Sequence, residues 1–183
     1  MKKPGWLAVA AVLFAVIIAV DGWPALRELS ANREWRAIDA SPGGASMDGL
    51  QVAVVAQTAA IAAQKPERAA VLIRLKMQVT PAAREAWQDC RVSLHSATGQ
   101  IWMPLSSASA DGAIKALSPD HKNAGLCRLQ PKDEGNGNET VHADQVFLLP
   151  TDSLQGLRLH VSGVGTRPRA LSFAIAPAVR NLP

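Results

Sequence analysis

Histidines are the residues of this sequence best suited to bind a metal ion or move a proton at neutral pH. The chain has four, His95, His121, His142 and His160, and each lies in a separate segment. None forms the His-x-x-x-His or His-Glu-x-x-His spacing that places two ligands on one helix face. His142 and Asp144 would share one face of a strand, whereas a solvent-facing strand explains His95 and His160 equally well. We therefore predict no metal site.

The two cysteines, Cys90 and Cys127, are predicted to form a disulfide. A lone pair of cysteines usually does so in an oxidising compartment. Closing a loop of about 38 residues stabilises a fold by up to roughly 4 kcal/mol if chain entropy alone is counted. Cys90 alternates with Val92 and Leu94, which places it on the buried face of a strand. A redox-active pair is the alternative, but it would lack the Cys-x-x-Cys spacing that tunes such pairs.

The sequence contains no motif that predicts catalysis or a bound cofactor. It has no Gly-x-Ser-x-Gly elbow, and Gly163-Val164-Gly165 lacks the strand and helix that a phosphate-binding loop needs. The acidic and amide side chains of residues 133–139 do not follow the EF-hand spacing, so a solvated loop is expected there. We predict that the protein is not an enzyme.

The net charge of +4 is mild, and most basic residues lie close to acidic ones. The densest basic group is Arg167 and Arg169, joined later by Arg180. Nucleic-acid binding favours a basic stripe with interleaved aromatic side chains, so we predict no nucleic-acid partner.

The N-terminal segment is predicted to hold the protein to a membrane. Lys2 and Lys3 precede an uncharged run over residues 4–20, and Trp6 and Trp23 bracket its apolar centre. About 17 helical residues span roughly 25 Å, close to the hydrocarbon thickness of a bilayer. Lysine favours the cytoplasmic side and tryptophan favours the interface. Residues 1–23 are therefore expected to be a single-pass signal anchor in the inner membrane, with the rest of the chain in the periplasm or extracytoplasmic space.

A cleaved signal peptide is the alternative to this anchor. The apolar region would have a suitable length, but Val20-Asp21-Gly22 is a poor cleavage site. Because there is no cysteine near this segment, a bacterial lipoprotein is excluded.

The N-terminal half of the remaining chain mixes helical and strand patterns. Residues 24–38 carry apolar side chains at loosely helical spacing and predict a short juxtamembrane helix, with a linker up to residue 49. Residues 50–58 predict a strand, although the alanine-rich continuation to residue 64 leaves a helix open. Strict alternation predicts a half-buried antiparallel strand over residues 70–79.

The second half reads as strands separated by turns and loops. Alternation predicts strands at 88–95, 157–161 and 171–175. Residues 106–125 are rich in Ser, Ala, Gly and Asp and predict a long surface loop. Residues 177–183 are expected to be a frayed tail.

The pattern as a whole predicts a mainly β fold, a two-layer antiparallel β-sandwich over residues 50–176. Its order is an alternating strand at 70–79, a strand ending in a glycine turn at 92–99, and a Leu-x-Leu-x-Val strand at 157–161. In this order it resembles the membrane-anchored, immunoglobulin-like extracytoplasmic domains of bacterial envelopes. The resemblance implies an immunoglobulin-like fold and a place outside the membrane, and it assigns no functional residue.

These observations predict a non-catalytic envelope protein whose sandwich is an interaction or scaffold module for a protein partner. The candidate surfaces are the strand edge near Pro104 and the expected loop 106–125. The alternative is an extracytoplasmic domain that binds a small molecule, a metal ion or a glycan. Its natural stacking residues would be Trp35, Trp87 or Trp102.

Overall fold

A computed structural model describes residues 9–18, 34, 36–81, 83–87, 90–119, 123–127, 129 and 139–183. The chain divides into two units, one ending at Arg33 and the other beginning at Glu34. In the first unit, residues 9–18 form helix α1. No helix within the described residues is both long and apolar enough to cross a bilayer. The other residues of the predicted anchor, 1–8 and 19–23, lie outside the described residues.

The second unit is mainly β, with two five-stranded sheets. Sheet 1 has the order β1-β9-β8-β5-β6, and sheet 2 has the order β10-β3-β4-β7, with β2 also paired to β3. The strands are β1 (Arg36–Ala40), β2 (Ala45–Met47), β3 (Leu50–Ala62), β4 (Arg68–Val79), β5 (Arg91–His95), β6 (Ile101–Trp102), β7 (Glu139–Pro150), β8 (Leu157–Ser162), β9 (Arg169–Ile175) and β10 (Ala178–Leu182). The predicted strands at 70–79, 157–161 and 171–175 are confirmed.

The two sheets pack face to face around one apolar core. Alternate residues of each strand point inward because side chains of a strand alternate between its faces. Sheet 2 contributes Ile73 and Leu75 of β4, and sheet 1 contributes Leu159 of β8 and Phe173 of β9. Burial of each such side chain stabilises the fold by about 1.5–3 kcal/mol relative to leaving it exposed.

The prediction of a purely antiparallel sandwich is wrong at two edges. Strand β1 pairs parallel to β9, and β10 pairs parallel to β3. Parallel neighbours need long connections, and here the paired segments come from opposite ends of the domain. Alternation records which face a residue occupies but not the direction of its neighbour, so the sequence pattern could not show this.

The predicted loop 106–125 contains an 11-residue helix, α3 (Ser107–Leu117). Its buried residues Ala110, Ile114 and Leu117 follow one another at helical spacing. They pack on the outer face of sheet 2 against Ala60, Leu72 and Val146. Small and polar residues fill the rest of the helix, which is why composition suggested a loop.

Both ends of the domain are more ordered than predicted. Residues 36–38 belong to β1 and not to a juxtamembrane helix, because their backbone pairs with β9. Residues 24–33 and 35 of that predicted helix lie outside the described residues. The expected tail contains β10, which pairs along β3 as far as residue 62. The alanine-rich continuation of β3 is a strand and not a helix, because β10 pairs with it on one side and β4 on the other.

The disulfide between Cys90 and Cys127 is present, with the two Cα atoms 5.6 Å apart. Cys90 directly precedes β5 of sheet 1. Cys127 lies two residues after Gly125, whose carbonyl accepts a hydrogen bond from the Asp144 amide of sheet 2. The bridge therefore ties the two layers together. Its Sγ at Cys127 lies 3.6 Å from the Met77 sulfur in the core.

The segment Gly163-Val164-Gly165 packs against the short helix α2 (Ala83–Ala86). A Cβ on Gly163 would lie 2.2 Å from the Ala86 carbonyl oxygen, so only glycine permits this approach. The two glycines therefore permit close packing of this segment against α2.

Candidate functional site

The outer face of sheet 1 carries a group of buried polar side chains. Strands β5 and β8 are antiparallel neighbours, and Ser93 lies opposite His160 while Arg91 lies opposite Ser162. Ser93 and Ser162 are buried, and His160 is only 8% exposed. His95 ends β5 on the same face as Ser93 because strand side chains alternate.

Glu34 joins this group from a distant part of the sequence. Its carboxylate accepts a hydrogen bond from Ser93 Oγ at 3.1 Å and another from Ser162 Oγ. Glu34 lies two residues ahead of β1, which is an edge strand separated from β8 by β9. We call Glu34, Ser93, His95, His160 and Ser162 the histidine cluster.

Three residues of the histidine cluster can bind a metal ion together. Glu34, His95 and His160 each offer one donor atom, and these atoms all lie within 4.8 Å of one another. The two imidazole rings stack, with centroids 3.8 Å apart and planes inclined by 26°. The His95 Nε2 atom lies 2.9 Å from Ser93 Oγ. The buried His160 Nδ1 atom has no hydrogen-bond partner among the residues that the structure describes.

The environment keeps both imidazoles in the neutral form. Burial lowers the pKa of His160 to about 4, with further lowering from His95 and Arg158 and an opposing effect of Glu34. Burial is also the largest cause that lowers the pKa of His95, and Glu34 again opposes it. At neutral pH each ring therefore has one nitrogen whose lone pair is available for a ligand.

The arrangement suits a metal ion better than it suits acyl transfer. In a Ser-His-Asp triad the acid orients the histidine, and the serine is open to substrate. Here Glu34 instead accepts hydrogen bonds from the serine hydroxyls, and both serines are buried. A tetrahedral zinc ion places its ligand atoms about 3.4 Å apart, so the donors need to close by roughly 1.4 Å at most.

A second polar centre lies on the outer face of sheet 2. Asp144 accepts hydrogen bonds from Arg74 Nε at 2.7 Å and Arg74 Nη2 at 2.8 Å, and from the Ala124 amide at 2.8 Å. The His142 side chain is exposed on the same strand. The pair His142 and Asp144, which the sequence singled out, thus has its carboxylate engaged by arginine. Within the described residues, the structure does not bring His142 into a group of potential metal ligands.

The other residues considered from the sequence have varied positions. His121, Trp35 and most of the acidic loop, residues 133–138, lie outside the described residues. Trp87 is fully buried in the core and Trp102 is half-buried on β6, so core packing accounts for Trp87. The strand β6 is an edge of sheet 1, and Ile101 and Met103 beside Pro104 are 58% and 50% exposed.

Sequence reasoning missed the histidine cluster because its parts are far apart. The predicted outward faces of His95 and His160 are confirmed, but the expected solvent exposure is wrong for His160, which is 8% exposed. Their proximity requires the pairing of β5 with β8. Glu34 looked like one charge among many in a charged segment. The sequence signal for their proximity was weak. Each histidine follows a core-facing leucine in a strand of alternating apolar and polar residues, which does not show that the two strands are neighbours.

No protein-family model matches the chain, and no curated protein matches it. Two solved structures are similar in outline. A protein of Staphylococcus aureus described as a "putative lipoprotein" is 9% identical, with a TM-score of 0.45 over 76% of this chain and 94% of that one. A conserved hypothetical protein of Bacillus anthracis is 8% identical, with a TM-score of 0.40 over 74% of this chain and 94% of that one. At TM-scores below 0.5, neither likeness bears on function.

Proposed function

We propose that this protein is a membrane-anchored extracytoplasmic domain that binds one divalent transition-metal ion through Glu34, His95 and His160. The observation that carries the proposal is the convergence of one carboxylate and two imidazoles within 4.8 Å. The protein acts by binding and performs no reaction of its own.

The chemistry of the donors favours zinc, copper or nickel over calcium or magnesium. Imidazole nitrogens suit the transition ions, whereas calcium and magnesium prefer sites made of oxygen. Neutral imidazoles at physiological pH need not lose a proton before binding.

The location outside the membrane rests on two features. The lysines at positions 2 and 3, followed by the apolar run, favour an anchor with a cytoplasmic N-terminus. The Cys90–Cys127 disulfide fits an oxidising compartment. On this proposal the two sheets are an immunoglobulin-like sandwich held at the outer face of the inner membrane.

Calorimetric titration of the full-length protein in detergent with Zn²⁺ tests the metal site. We expect one ion per chain, and His95→Gln or His160→Gln should weaken binding by more than about tenfold. His142→Gln is the matched control, because His142 is exposed on the other sheet. Absence of binding, or equal weakening in the control, would overturn the proposal. Circular dichroism checks that each variant is folded.

A second candidate function is the interaction module predicted from the sequence. Edge strand β6, with exposed Ile101 and Met103, favours it, because an extended segment of a partner can pair with a sheet edge. The double variant with Ile101→Lys and Met103→Lys should lose a protein that co-purifies in mild detergent. Val179→Lys, on the exposed β10 edge of sheet 2, should retain it. Unchanged co-purification in the double variant argues against this surface.

A further inference from the structure

We infer that the metal ion acts as a clasp that fastens the chain ahead of β1 to sheet 1, so that metal occupancy controls the attachment of this edge of the domain. The inference rests on the proposed metal site and adds its regulatory consequence.

The ligands of the site come from two different parts of the fold. His95 and His160 belong to the adjacent strands β5 and β8. Glu34 comes from the opposite edge of the sheet, 59 residues from Ser93 and 128 residues from Ser162, its two hydroxyl partners. A metal bound by all three residues therefore joins the start of the domain to its interior strands. The site is incomplete without Glu34.

Without metal, this edge is held by the hydrogen bonds from Ser93 and Ser162 to Glu34 and by the pairing of β1. Among the described residues, β1 pairs only with β9, through five residue pairs, and four of its five residues are exposed. Its ion pair between Asp39 and Arg158 is exposed, and such pairs contribute little to stability. Short edge strands with few buried contacts are the segments that open locally before the rest of a domain.

Opening of this edge would free residues 34–40 from sheet 1, a stretch of up to about 20 Å when extended. Metal binding to Glu34 favours the closed state, because a ligand shifts an equilibrium toward the state that binds it better. Metal occupancy thereby keeps this edge attached to sheet 1.

Trypsin cleavage after Arg36 measures the opening directly. Arg36 lies in β1, and cleavage there requires local release of the strand. Arg180 is the internal control, because it is exposed on β10, a parallel edge strand of the other sheet. The full-length protein in detergent is digested with and without Zn²⁺, and mass spectrometry follows the products that begin at residues 37 and 181.

With Zn²⁺ at 100 times its dissociation constant, we expect cleavage after Arg36 to slow by at least about tenfold. Cleavage after Arg180 should change by less than about twofold, and it also reports any effect of zinc on trypsin itself. Glu34→Gln should abolish the protection even when zinc is saturating. Glu67→Gln, which changes an exposed glutamate in the turn between β3 and β4, should keep it.

The outcomes separate the clasp from the metal site. If calorimetry shows zinc binding but cleavage after Arg36 is unchanged relative to Arg180, the clasp is wrong and the metal site stands. Equal protection in Glu34→Gln also overturns the clasp. If calorimetry shows no zinc binding, the proposed function fails and the clasp fails with it.

Discussion

The outer faces of the two sheets share one geometry but have opposite chemistry. On sheet 2 the outward residues Leu72 and Val146 are apolar and lie under helix α3, with the ion pair of Arg74 and Asp144 beside them. On sheet 1 the outward residues of β5 and β8 are arginines, serines and histidines, and Ser93 is hydrogen-bonded to both Glu34 and His95. Alternation determines which residues point outward, but a distant segment determines what they meet.

The two faces should differ most in how much stability the fold loses when one carboxylate is removed, Asp144 from sheet 2 or Asp39 from sheet 1. Asp144→Ala should destabilise the fold by about 3–5 kcal/mol, because it leaves Arg74 without its charged partner in a mostly buried position. The Asp144 side chain is 0% exposed, and that of Asp39 on sheet 1 is 89% exposed. Asp39→Ala should therefore cost less than about 1 kcal/mol. Urea unfolding followed by circular dichroism measures both.

Equal losses in the two variants would contradict this comparison. They would mean that the Asp39–Arg158 pair stabilises the edge as strongly as the buried pair stabilises sheet 2. The variant Arg74→Met helps to interpret a large loss. If Arg74→Met restores much of the stability when it is combined with Asp144→Ala, the cost comes from the lost charge pairing and not from lost packing.

The sequence predicts the interior of this fold better than its edges and covers. Strands β4, β8 and β9 were predicted because large apolar residues alternate with polar or small residues over much of their length. The edge strands β1 and β10 have little burial, so no alternation marks them. Their strand state comes from pairing with a distant neighbour, which a local pattern does not contain.

The histidine cluster illustrates the same limit at the level of a site. The sequence placed His95 and His160 on outward faces, and the structure has them there. Their stacking depends on the register of β5 against β8, and the position of Glu34 depends on the path of the chain into β1. The disulfide was easier, because two cysteines allow one intramolecular pairing.

The fold should lose stability in acid because of His160 on the outer face of sheet 1. In the metal-free fold its pKa is about 4, against 6.5 for the free side chain, because burial disfavours the charged ring. Below pH 6.5 the unfolded chain takes up a proton that the folded chain does not. The contribution of this group to stability is therefore complete above pH 6.5 and is lost progressively as the pH falls to about 4.

Urea unfolding between pH 7 and pH 4, with a chelator present, measures this dependence. As the pH falls, the unfolding free energy of the parent protein should decrease more than that of His160→Gln. His142→Gln, which removes an exposed histidine on sheet 2, is the control, and its unfolding free energy should decrease with pH as that of the parent does. If the unfolding free energies of the parent and His160→Gln fall in parallel with pH, His160 takes up its proton equally in the folded and unfolded states and the prediction is wrong.

The smallest expected effect tests whether α3 is a regular helix over sheet 2. Gly112 lies on the exposed side of α3, and a Cβ there would contact nothing within 4 Å. Gly112→Ala should stabilise the fold by about 0.5–1 kcal/mol, because glycine is the weaker helix former. Gly99 offers a matched control, since its Cβ would also meet nothing but its φ is +84°.

Gly99→Ala should destabilise the fold by roughly 1 kcal/mol, because alanine is strained in the left-handed region. Thermal unfolding of the two variants should therefore give shifts of opposite sign. If Gly112→Ala has no effect or lowers the midpoint, then α3 is not a stable helix at this position. The cover of sheet 2 would then be as loosely attached as β1 is on sheet 1, and the contrast between the two faces would be one of composition alone.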